Sequence, residues 1–178
     1  MRMKASFLLL LFFSTWAFAE KPWPKRVKDA KFAQLSADSL PEKLRESLQG
    51  FDEFSQGGDH LSETYSVCRI DLNGDGIDEF IVQSNQSYSG GSMMYIFTLR
   101  KGRFIEIGDL QGGIYFAAKI NGFHQIVSEG RAGGGMFTRT LDRYEKGRYR
   151  IVRIADYRSV DDNTYQFVRE RNPKEYDN

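Results

Sequence analysis

Apolar side chains keep two different patterns along this chain. Between residues 39 and 51, Leu40, Leu44 and Leu48 recur every fourth position, which lines them up as one stripe of a helix. Ser39 stands at the N-cap position, Glu42 three residues on completes a capping box, Pro41 is tolerated in the first turn, and Gly50 supplies a stop. The pattern predicts a helix over residues 39–51 that docks its leucines on a sheet and covers an edge. From residue 65 onward the chain turns to short runs rich in Val, Ile, Tyr and Phe, which predict strands throughout. Residues 20–31 are basic, contain Pro22 and Pro24 and keep no clear period, so an extended lead-in is expected. Residues 51–64, with Gly57-Gly58 and His60, read as a loop. Residues 156–178 are polar, with one expected strand at 164–168 and a frayed end at 169–178.

The strand region repeats. Shifted by 45 residues, Ile81-Val82 falls on Ile126-Val127, Gly90 on Gly135, and Lys101-Gly102-Arg103-Phe104 on Lys146-Gly147-Arg148-Tyr149. Each unit reads as hairpin, glycine-rich loop, hairpin, giving repeats at 65–109 and 115–154. In the first unit the second hairpin is 93–100 and 103–107; in the second it is 137–145 and 148–154. The opening hairpins differ. Ile70 to Ile81 spans eleven positions and Ile120 to Ile126 six, because Asn121-Gly122, the favoured type I′ turn, replaces a longer acidic loop. The expected fold class is mainly β with one N-terminal helix: two repeated four-stranded antiparallel units, blade-like or stacked as a sandwich. The chain divides into 1–19, 20–64 and a β domain at 65–178.

The acidic loop is the stretch DLNGDGIDEFIV, residues 71–82. Ca²⁺ takes six to eight oxygens. Alternate positions offer them: Asp71, Asn73, Asp75, the carbonyl of Ile77, and Glu79. Gly74 and Gly76 fall between these ligands, where the chain must turn sharply. No His or Cys set stands nearby, which disfavours zinc. An EF-hand needs a Glu at loop position twelve, where this chain has Val82, and helices on both flanks, where this chain has strand-forming residues. The stretch resembles the DxNxDGxxD/E calcium loop of FG-GAP/VCBS-type repeats, the blades of integrin-α-like β-propellers, with Glu79 where that family usually has Asp. A weaker resemblance extends over residues 65–154. It implies that the loop joins two antiparallel strands and that a bound Ca²⁺ stiffens the hairpin. The alternative is an acidic turn without an ion. One site rather than two is expected.

Composition adds export to this picture. Arg2 and Lys4, an apolar run at 7–13 and Ala17-Phe18-Ala19 before Glu20 read as a secretory signal peptide over residues 1–19. The mature protein is then expected to begin at Glu20, secreted or periplasmic, and not to be an integral membrane protein. Losing Arg2 and Lys4 takes Lys+Arg from 25 to 23 against 24 Asp+Glu, a net charge of −1 that does not suggest a nucleic-acid partner. Cys68 is the sole cysteine, so no internal disulfide can form, and its place in a strand predicts a buried, inert thiol.

The remaining candidate chemistry lies in two glycine-rich segments at matching points of the repeat. Tyr88, Gly90 and Gly91 belong to the first, and Arg131, Gly133 and Gly134 to the second. Both are expected at the same end of the sheets, where backbone N–H groups and Arg131 could bind an anion or a peptide carboxylate. The alternative is that the glycines only let the chain swing between hairpins. Catalytic signatures are lacking: the histidines are His60 and His124, and neither G-x-S-x-G nor H-E-x-x-H occurs. The expected function is an exported calcium-binding module that contacts a protein or glycan through its glycine-rich loops. The alternative is a cell-envelope hydrolase or an inhibitor of one.

Overall fold

A computed structural model describes residues 20–54, 62–88, 91–161 and 164–176. The expected signal peptide and His60 lie outside these residues. Among the described residues eleven strands and one α-helix follow one another. The strands are β1 (Arg26–Asp29), β2 (Ala33–Ser36), β3 (Thr64–Ile70), β4 (Glu79–Tyr88), β5 (Gly91–Arg100), β6 (Arg103–Gln111), β7 (Gly113–Ile120), β8 (Phe123–Gly133), β9 (Met136–Glu145), β10 (Arg148–Ser159) and β11 (Tyr165–Arg171); α1 (Glu42–Leu48) lies between β2 and β3. They form a five-stranded sheet, β2-β3-β4-β5-β6, and a six-stranded sheet, β1-β7-β8-β9-β10-β11. Every pairing is antiparallel, and neither sheet closes into a barrel. The protein is therefore mainly β with one α-helix, but its sheets hold five and six strands rather than four each. The added strands are β2, β1 and β11. The first two come from short segments ahead of the helix whose exposed residues leave no periodic trace.

The two sheets face each other across a shared core. Cys68, Ile70, Ile81, Met94, Ile96 and Ile107 of the first sheet meet Phe116, Ile126 and Tyr149 of the second. The approach is close at Gly108, where a Cβ would stand 2.7 Å from that of Tyr149. The five-stranded sheet is buried on its other face too. Tyr65, Val67, Phe80, Val82, Phe97 and Phe104 pack there beneath Leu40, Leu44 and Leu48. That two-sided burial explains the unbroken run Phe80-Ile81-Val82, since each successive residue faces a different core.

The helix is shorter than residues 39–51, and it covers a sheet face rather than an edge. Leu40 precedes Pro41 and is held extended (φ −78°, ψ 148°), so the helix cannot include it. The expected capping box does not form. Pro41 occupies the N-cap, and the Ser39 hydroxyl donates instead to the Ser36 carbonyl (2.7 Å). The C-terminal segment also differs, because residues 169–171 continue β11. Arg169 (2.9 Å) and Arg171 (3.0 Å) both pair with the buried carboxylate of Asp156 on β10, where Thr138 also donates a hydrogen bond (3.0 Å). Burial raises the pKa of Asp156, but the hydrogen bonds from Arg169 and Thr138 outweigh it and leave the carboxyl below its ordinary value.

Candidate functional site

Consecutive antiparallel strands place alternate connections at opposite ends of the sandwich. At one end stand the acidic loop, the Lys101-Gly102 turn, Asn121-Gly122 and Lys146-Gly147. Each of the three dipeptides has both residues at positive φ (48° and 75°, 54° and 85°, 51° and 94°), the requirement of a type I′ turn. At the other end stand the glycine-rich segments. β4 alone runs for ten residues between the two ends, a span of about 33 Å.

The acidic loop is closed by its own backbone. Asp71 Oδ1 accepts from the N–H of Gly74 (2.5 Å) and Oδ2 from that of Gly76 (3.0 Å). Asn73 Oδ1 accepts from Asp75 N–H (2.7 Å), and Asp75 Oδ1 from Ile77 N–H (2.8 Å). Gly74 and Gly76 adopt φ of 87° and 81°, which lets their N–H groups turn inward to Asp71. These bonds, led by that from Gly74, hold the Asp71 carboxyl below its ordinary pKa, with Lys119 adding to the effect. Asp78 faces outward and pairs with Arg69 (2.9 Å). Ile77 is exposed.

Glu79 behaves differently from the other acids. It opens β4 opposite Ile70, and its side chain is 1% exposed. The carboxylate accepts from the N–H of Leu72 (2.8 Å) and the hydroxyl of Thr98 (2.9 Å), while the Asn73 amide lies 3.4 Å away. Burial pushes its pKa up, and the charges of Asp75 and Asp71 push it further. As the side chains stand, no group of three or more His, Cys, Asp or Glu among the described residues is arranged to hold a metal ion. The second hairpin packs on the loop. His124 N–H donates to the Leu72 carbonyl (2.8 Å), and Lys119 Nζ would lie 2.6 Å from a Cβ built at Gly74. The His124 ring bonds the Ala117 carbonyl at 2.7 Å. Cys68 is buried, and burial raises the pKa of its thiol.

At the opposite end Gly91 and Arg131 line one cleft of about 350 Å³. Gly112 and Gly113 complete its glycine floor, and Phe137, Arg139, Tyr157 and Tyr165 form walls. The register accounts for the grouping: Arg131 pairs with Phe137, Glu129 with Arg139, and Phe137 with Tyr157, so these side chains share the outer face of the six-stranded sheet. Tyr88 pairs with Gly91 through its backbone, and Gly90 lies outside the described residues. Gly133 and Gly134 shape the β8–β9 turn (φ 80° and 55°) and do not line the cleft. The aromatic walls were missed from sequence. Their one signal is Phe137 and Arg139 two positions apart, just after a run of glycines.

No family model matches the chain, and no curated protein or solved structure matches it. No helix among the described residues is long and apolar enough to cross a membrane.

Proposed function

We propose that this is an exported calcium-binding β protein that holds a ligand at its glycine-rich end. One observation carries the reading: two glycine-rich segments forty residues apart in sequence, at Gly91 and Arg131, contribute to a single aromatic-walled cleft. Concave sites that combine apolar walls with a few charged groups are where proteins take small ligands and chain ends. The donor set at the other end fits a hard cation. Asp71, Asn73, Asp75 and Glu79 bring oxygens from alternate positions, and the buried Glu79 carboxylate faces the charges of Asp75 and Asp71. These residues and the Ile77 carbonyl would hold Ca²⁺, whose role is to stiffen the hairpin. The FG-GAP/VCBS resemblance of residues 71–82 belongs to the same reading. So does an internal repeat in which β3–β6 and β7–β10 are the two four-stranded units, to which β2, β1 and β11 were added.

The test is to fill the cleft. Gly113 lines the cleft, a Cβ there would meet nothing within 4 Å and its φ is not positive, so Gly113→Phe starts a bulky side chain into the cleft without backbone strain. Wild-type protein immobilised in calcium buffer is expected to retain a component of a cell-envelope extract that Gly113→Phe does not retain. Equal retention by both would refute the cleft as the binding site.

A further inference from the structure

The cleft has a charge imbalance that specifies its occupant. Two arginines line it. Arg139 is already committed, paired with Glu129 at 2.6 Å and set over the rings of Tyr157 and Trp23 at 5.1 and 5.3 Å. Arg131 is exposed and has no ion pair or side-chain hydrogen bond among the described residues. The walls therefore carry one uncompensated positive charge, in the planar fork that binds a carboxylate through two parallel hydrogen bonds. Beside it stands an apolar surface. Phe137 and Tyr165 meet edge to face, 4.9 Å between centroids, and Tyr165 remains 48% exposed. Of the three hydroxyls along it two are committed, that of Tyr157 to Glu20 and Trp23 and that of Thr138 to Asp156, which leaves that of Tyr165. A neutral sugar would leave the surplus charge unanswered, and a phosphate dianion would exceed it and leave the aromatic wall unused.

We infer that the cleft binds the C-terminal residue of a peptide, its carboxylate on Arg131 and an apolar side chain against Phe137 and Tyr165. The inference rests on the cleft being the ligand site and names what enters it. The glycine floor lets the ligand backbone approach closely, and about 350 Å³ accommodates roughly two residues.

The probe is a fluorescent tripeptide, dansyl-Gly-Ala-Phe, as the free acid and as the C-terminal carboxamide. Its anisotropy is read against the whole protein. The acid is expected to bind at least tenfold more tightly than the amide. Arg131→Gln should erase that preference while leaving the weaker amide binding, and Arg131→Lys should restore only part of it. Gly113→Phe should remove both, and Arg103→Gln, at the other end, neither. Replacing the terminal Phe of the probe by Gly should weaken the acid about tenfold. Thermal melts matching wild type establish that each variant is folded. Equal binding of acid and amide, an acid preference that survives in Arg131→Gln, or no binding of either peptide would overturn the inference. Competition by inorganic phosphate at the peptide's own concentration would also overturn it, leaving a site that reads charge alone. If acid and amide bind equally and Gly113→Phe removes both, the cleft reading stands and the carboxylate inference falls. If Gly113→Phe changes neither peptide binding nor retention from the extract, the cleft reading itself falls.

Discussion

The β3–β4 and β7–β8 hairpins occupy matching places in the two sheets and are closed in opposite ways. Asn121 and Gly122 close β7–β8 with two residues at positive φ, so backbone preference alone sets the register Ile120↔Phe123. An eight-residue loop closes β3–β4, and its acids bond its own N–H groups while Glu79 is driven into the interior. The short turn has nothing left to bind, whereas the long loop concentrates carboxylates. The contrast shows how one hairpin can be fixed by turn chemistry while its counterpart is left dependent on its charges. Buried carboxylates differ in a similar way. Glu79 receives the Leu72 N–H and the Thr98 hydroxyl, and Asp142 of the second sheet receives the Thr140 hydroxyl (2.9 Å). Burial pushes the Asp142 carboxyl up to about 7, with the charge of Asp109 adding to it.

The largest expected effect comes from breaking the joint between the two sheets. Gly112 has φ 83°, and a Cβ there would overlap the Glu129 carbonyl and lie 2.8 Å from the Gly130 Cα. Gly112→Ala should cost about 4 kcal/mol or more by urea unfolding. Gly122→Ala, at φ 85° but in open space, should cost about 1–2 kcal/mol. Equal costs would mean that the joint is not tight.

Asp142 comes next. Its folded pKa near 7 lies above its ordinary 3.8, so between those values the folded state keeps a proton that the unfolded chain gives up. Its contribution to stability is therefore greatest below about pH 4 and falls as pH rises towards 7, by on the order of 4 kcal/mol. Asp142→Asn should flatten this part of the profile and raise the melting temperature at pH 8, with little effect at pH 4. A variant as pH-dependent as wild type would place the titration elsewhere.

In the acidic loop, calcium at a hundredfold excess over its dissociation constant should stabilise the protein by about 2.7 kcal/mol. That is a melting shift of about 5 °C or more. Asp75→Ala should remove most of this shift and cost little in chelator, since it also relieves repulsion among the acids. An equal calcium shift in wild type and variant would mean that the loop is not the site. The smallest effect belongs to Lys119, a cation that the second hairpin holds beside Gly74 and Asp71. Lys119→Gln should tighten calcium binding several-fold, on the order of 1 kcal/mol, by calorimetry. Unchanged or weaker binding would remove Lys119 from the account.

What the sequence made legible follows from how local each determinant is. The three two-residue turns depend on dipeptides and could be read directly, Asn121-Gly122 as type I′ and the two Lys-Gly pairs as turns, and the leucine stripe depends on spacing alone. The helix start was misplaced because a capping signal at Ser39 competes with the extended conformation that Pro41 imposes on Leu40. β1 and β2 have four residues each and gain their place from partners ninety-odd and thirty-odd positions away, Arg26 on Ala117 and Ala33 on Val67. The cleft was half legible. Glycines announce Gly91 and the turn at Gly133–Gly135, but Tyr157 and Tyr165 arrive only through the pairings of β10. Glu79 was singled out for its oxygens, and its burial became apparent only with Leu72 and Thr98 around it.

The most direct measurement is the number of calcium ions bound per chain, read by native mass spectrometry and by calorimetric titration of wild type and Asp75→Ala. One ion is expected on wild type and none on Asp75→Ala, because the donor set lies in the β3–β4 hairpin. No ion on wild type, two ions, or one ion retained by Asp75→Ala would contradict this.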